Sequence, residues 1–170
     1  LKWQLRRKLK QIHHELRLTL VYVTHDQVEA LTFAEQVVVM TRGRAVQIGS
    51  ASDLFERPQH TFVGHFIGSP GMNFLPAGLA PGAPSGATTL GVRPEYVTLA
   101  APNAAGAVAG TVMQVQDIGT YWLVTSKVVG GTLVRARLGG EQAMPKVGDA
   151  VWLGVVGSHT CYYKNEELVA

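Results

Sequence analysis

The sequence predicts an α/β segment followed by an all-β one. Three observations carry this expectation. Residues 2–17 repeat apolar side chains at helical spacing and lead into the β-type run Leu20-Val21-Tyr22-Val23. Helical periodicity stops at Gly68-Ser69-Pro70-Gly71. Beyond Met72 the chain breaks into short β-type runs divided by Gly, Pro and Ala-rich turns, a spacing that suits a small barrel of the OB type. The division expected is residues 1–68 and 69–170.

Composition agrees with a folded globular chain. The 170 residues are 46% hydrophobic and 16% charged, with 19 Gly and 8 Pro. The net charge of +3 is local, because Lys2, Arg6, Arg7, Lys8, Lys10 and Arg17 crowd the start. Little basic bias remains elsewhere, so no broad nucleic-acid surface, and no nucleic-acid partner, is expected. Cys161 is the single cysteine, which rules out an internal disulfide framework or a cysteine zinc site. No apolar run reaches the length a membrane helix needs, no signal segment follows the basic start, and a cytoplasmic chain is expected.

Each element has a local reason. Leu5, Leu9, Ile12 and Leu16 share one face of the first helix, and the basic residues fall largely elsewhere as a solvated face. Leu20 to Val23 read as a strand buried on both faces. Asp26 is placed to cap a helix from Gln27 to Leu31, with Glu29 completing a capping box. His25 would then stand at the carboxyl end of a buried strand, where open α/β sheets place ligand sites. Gln36 to Met40 and Ala45 to Ile48 flank Thr41-Arg42-Gly43-Arg44 and predict a hairpin, with Gly43 at positive φ. Ser50 or Ser52 can cap a short helix that Arg57-Pro58 ends, and a second short helix runs Thr61 to Ile67. His60 and His65, five apart, do not align on one helix face and read as structural or solvent-facing.

In the second segment strands are expected at Asn73–Leu75, Thr88–Leu90, Tyr96–Leu99, Gly110–Ile118, Tyr121–Val129, Thr132–Leu138 and Ala150–Val156. Gly130-Gly131 reads as a two-residue hairpin turn, and 77–84 and 100–109 as exposed loops.

Local chemistry is sparse. No phosphate loop, C-x-x-C, H-E-x-x-H, G-x-S-x-G or G-x-G-x-x-G is present, so no self-sufficient active site and no metal site assembles from motifs. One reading of the β-rich segment is a free-standing module that captures an oxyanion, a regulatory protein or a nucleic acid. Its candidate contacts are Arg93, Arg135 and Arg137, with only Tyr121 and Trp122 available for stacking.

The stretch VYVTHDQVEALTFAEQVVVMTRGRAVQIGSASDLFERPQHTFVGHFIGSPGMNFL resembles the final part of the nucleotide-binding subunit of an ABC importer of the carbohydrate and glycerol-phosphate branch. Gly91-Val92-Arg93-Pro94-Glu95 and the β-rich remainder resemble that branch's accessory domain, the OB-type TOBE module. The resemblance implies that residues 1–68 are the C-terminal part of a P-loop-type ATPase domain. It implies that His25 is the switch histidine that meets the γ-phosphate, with Asp26 and Gln27 holding its geometry. Arg93 and Glu95 are then candidates for a regulatory site. ATP and Mg2+ are implied for the full-length subunit, and neither is expected to bind this chain alone, which is expected to be inactive by itself. A second ATPase subunit, as a homodimer, and transmembrane permease subunits are the implied partners, at the inner face of the cell membrane. Arg17 departs from the family, which usually closes this helix with Gly. Tyr121-Trp122 departs too, standing where small or acidic residues are more usual.

Overall fold

The computed structural model describes residues 1–170. Helix α1 (Lys2–Leu16) forms as its periodicity predicts, and Arg17 ends it in the left-handed region at φ 51°. The chain then runs without regular structure to α2 (Gln27–Phe33). The expected strand Leu20–Val23 is not formed. No strand lies beside it, so its backbone has no ladder to join, and Val21 and Val23 are 81% and 90% exposed. Tyr22 packs against Phe33 at 5.0 Å between ring centroids, which lays the segment along α2.

Strands β1 (Val37–Thr41) and β2 (Arg44–Gly49) make the expected hairpin, with Arg42 and Gly43 both at positive φ. Helix α3 (Ala51–Glu56) starts at Ser50, whose hydroxyl and Asp53 form a reciprocal capping box. Helix α4 (Thr61–Phe66) starts at His60, whose Nδ1 accepts from Phe62 N–H at 3.0 Å. Val39, Leu54, Val63 and Ile67 form the small core beneath these elements.

The rest of the chain is β. β3 (Asn73–Pro76) pairs with β4 (Thr89–Val92), which pairs with β10 (Cys161–Lys164) and through it with β11 (Glu167–Leu168). A second sheet has the order β5 (Thr98–Ala100), β9 (Ala150–Gly154), β6 (Ala107–Asp117), β7 (Trp122–Val128), β8 (Leu133–Leu138). The long β6 pairs with β9 through its first half and with β7 onward from Gly110, with a bulge at Met113 that bends the strand. The sheet curls into a half-barrel, the coarse outline of an OB-type domain. Leu90, Val112, Val124, Val134 and Leu153 fill its core, each 1% exposed or less.

Three expectations change here. Gly130-Gly131 is not a two-residue turn: Val128 N–H donates to Thr132 O, closing a loop around Val129–Gly131. Ala77 and Ala80, expected in an exposed loop, are buried. The hairpin of β10 and β11 was not foreseen, because Asn165 and Glu166 turn it at positive φ without a glycine to mark the bend.

Candidate functional site: a held turn and an exposed imidazole

The His25 turn is built by its neighbours. Asp26 caps α2, its Oδ1 accepting from Val28 N–H at 2.9 Å and Glu29 N–H at 3.1 Å. Asp26 N–H donates to Thr24 Oγ1 at 3.1 Å, and that hydroxyl donates to Glu29 Oε2 at 2.8 Å. Glu29 therefore does not close the predicted capping box. Its carboxylate is drawn instead to Thr24 and to the Arg6 guanidinium of α1, where an ion pair outweighs one backbone donor. Gln27 reaches away from its own helix to Gly68, accepting from its N–H at 2.8 Å and donating to its carbonyl at 3.5 Å. Between these fixed residues the His25 side chain is exposed. His60, by contrast, caps α4 and has its Nδ1 committed to backbone.

Arg93 and Glu95 are not arranged as a ligand site. Arg93 is 1% exposed and its donors are directed at main-chain carbonyls: Nε to Phe55 at 2.9 Å, Nη2 to Leu54 at 3.4 Å, and Nη1 to Gly64 at 3.4 Å and to Ile67. These carbonyls end α3 and α4, so one guanidinium caps two helix C-termini, where positive charge is favoured. Its plane lies 4.1 Å from the Phe55 ring centroid. Burial pulls its pKa below the ordinary arginine value, and Glu95 is the strongest of the groups opposing that pull. The expectation that Arg93 contacts a ligand is thus corrected: its acceptors lie inside the chain. Glu95 Oε1 sits 3.6 Å from Arg137 Nη1, and Arg137 stacks on Tyr121 at 4.0 Å. Arg135 meets Asn73 through backbone atoms only. The three arginines of the module reading therefore face different neighbours and do not converge.

One cluster had no signal in the sequence. Tyr96 OH donates to Glu56 Oε1 at 2.7 Å, His159 Nδ1 lies 2.9 Å from Glu56 Oε2, and the two rings stack at 3.8 Å with 4° between their planes. The Tyr96 hydroxyl, with His159 adding to it, holds the Glu56 carboxyl below the ordinary value against the effect of burial. The same bond, seen from the phenol, pushes Tyr96 up to about 12. These residues come from three distant segments, so no spacing rule could gather them.

Comparison with known proteins finds similar chains. Residues 90–161 match the TOBE domain family. The chain is 38% identical to the sn-glycerol-3-phosphate import ATP-binding protein UgpC of Pectobacterium atrosepticum, over 90% of this chain and 48% of the relative. It is 39% identical to UgpC of Salmonella typhimurium over the same shares, and 39% identical to UgpC 3 of Agrobacterium fabrum over 85% of this chain and 45% of the relative. The chain spans about half the length of the curated relatives it matches. Over most of its length the chain is thus similar to part of these import ATP-binding proteins, and the TOBE match lies in its β-rich segment. No helix is long and apolar enough to cross a membrane.

Proposed function

We propose that this chain is the C-terminal portion of the ATP-hydrolysing subunit of an ABC importer for a sugar or glycerol-phosphate-like solute. The observation that carries the reading is the His25 turn: an exposed imidazole on a backbone held by Asp26 and Gln27, in a chain homologous to import ATP-binding proteins. In this reading Leu20–Val23 joins a sheet completed by the ATPase domain, which accounts for an apolar run that stands exposed here. His25 would then sit at the end of a strand in the P-loop-type core.

ATP, when bound with Mg2+, supplies the phosphoryl group. The residue of this chain that fits it is His25, whose N–H is free to meet charge developing on a phosphoryl oxygen. Asp26 and Gln27 support it by fixing the backbone that follows it, so that little rearrangement is needed as charge develops. No group of three or more His, Cys, Asp or Glu gathers in this chain, and the Mg2+ ligands are assigned to the remainder of the subunit. The TOBE domain takes a regulatory and dimerising role, beside a second ATPase subunit and permease subunits at the inner face of the membrane.

His25→Ala in the full-length subunit is expected to lower kcat for ATP by about 10²–10³-fold, the usual cost of losing one donor to transition-state charge. Steady-state phosphate release measures it. Unchanged turnover would remove His25 from the mechanism. Turnover by the 170-residue chain alone, abolished by the same substitution, would overturn the assignment of the phosphate site to the rest of the subunit.

A further inference from the structure

The His25 turn and the β-rich half of the chain are fastened to the same peptide. On one side the Gln27 amide clasps Gly68, matching its N–H with an acceptor at 2.8 Å and its carbonyl with a donor at 3.5 Å. On the other side Arg93 Nη1 donates to Ile67 O. The same nitrogen lies so close to Gly68 that a Cβ added there would stand 2.8 Å from it, on a backbone whose φ of +104° already favours glycine. Leu31 touches the small core, but Gln27 makes the only side-chain hydrogen bonds between residues 1–36 and the rest of the chain. Asp26 ties the turn to its own helix. Gln27 ties it to a site 41 residues away.

We propose that Gln27 is a positioning residue that sets the His25 turn by reference to the TOBE domain, so that displacement of Arg93 reaches His25 through Ile67 and Gly68. A carboxamide suits the task because it answers the N–H and the C=O of one residue at once; a carboxylate keeps the acceptor and loses the donor. The path has one buried end and one exposed end. Arg93 is held by four carbonyls of α3 and α4, so any rotation of the β-rich half against these helices must move or break the contact at Ile67. The meaning of the coupling for ATP hydrolysis rests on the reading of His25 given above, whereas the coupling itself does not.

The test therefore has two parts. In the 170-residue chain, Arg93→Lys is expected to shift the His25 ring and Gly68 amide resonances in NMR spectra. With Gln27→Ala in the background the His25 shift should vanish, and the Gly68 amide should exchange with solvent about tenfold faster as its acceptor is lost. Gln27→Glu should retain Gly68 protection. Should Arg93→Lys lose the dispersed spectrum of a folded chain, Tyr96→Phe perturbs the same joint three residues on. A His25 response that is absent in the otherwise unaltered chain, or equally large without the Gln27 side chain, overturns the proposal. In the full-length subunit, Gln27→Ala should lower kcat about tenfold with KM for ATP unchanged, and Gln27→Glu should restore part of it; a change in KM alone counts against a positioning role. If His25→Ala leaves turnover intact while the NMR coupling holds, the reading of His25 fails and the coupling does not.

Discussion

Glu56 answers two partners at once, with one carboxylate oxygen for Tyr96 and the other for His159. Because the folded state lowers its pKa, the stabilisation is complete above the ordinary glutamate range and is lost as pH falls through the lowered folded value. The groups facing it are Tyr96, His159 and, at longer range, Arg93. Urea midpoints measured at about pH 7 and about pH 3.5 should therefore fall more steeply for the parent chain than for Glu56→Gln, which has no carboxyl to titrate. Equal slopes would mean that the carboxylate is not held in solution as it is here. None of this was legible in the sequence. Glu56 reads there as the end of a short helix, and His159 lies 103 residues away.

At the scale of elements, most of what was legible is local. Ser50 and Asp53 lie three apart and cap α3, and Gly43 turns the β1–β2 hairpin, because each device needs only neighbours in sequence. Asn73 shows the opposite case. Its side chain donates to Arg135 O at 2.8 Å and accepts from Arg135 N–H at 2.8 Å, so an amide occupies the edge of β8 as a strand would and links the two sheets. Asn73→Ala strips two partners from this edge and is expected to cost about 2–3 kcal/mol, at about 1 kcal/mol per hydrogen bond plus the exposure of the pair. Asn73→Asp keeps the acceptor but turns a carboxylate oxygen toward the Arg135 carbonyl at a buried position, and should cost at least as much as the alanine change. Chemical denaturation reads both, and an alanine variant as stable as the parent would show that the edge needs no such partner.

For the molecule as a whole, apolar surface is unevenly covered. The β-rich half buries its core almost completely, whereas Val38, Met40 and Ile48 on the outer face of the hairpin and Val21 and Val23 before α2 stand exposed. The 170-residue chain should accordingly bind a hydrophobic dye and self-associate with rising concentration, measured by fluorescence and light scattering. Replacing Met40 and Ile48 together by Lys should reduce both signals, and no change would place the sticky surface elsewhere. The strand predicted at Leu20–Val23 fails for the same reason: composition marks a segment that favours burial in a sheet, but a ladder needs a neighbour, and none lies beside this one.

The Arg93 joint has a consequence for divergence. All its acceptors are carbonyls of residues 54, 55, 64 and 67, not side chains. A joint written in main chain on one side and a single guanidinium on the other is indifferent to most substitutions in α3 and α4. The hydrogen bonds of the joint leave most side chains of α3 and α4 free to change, while Phe55 against the guanidinium and Glu56 against Tyr96 and His159 are held by contacts of their own.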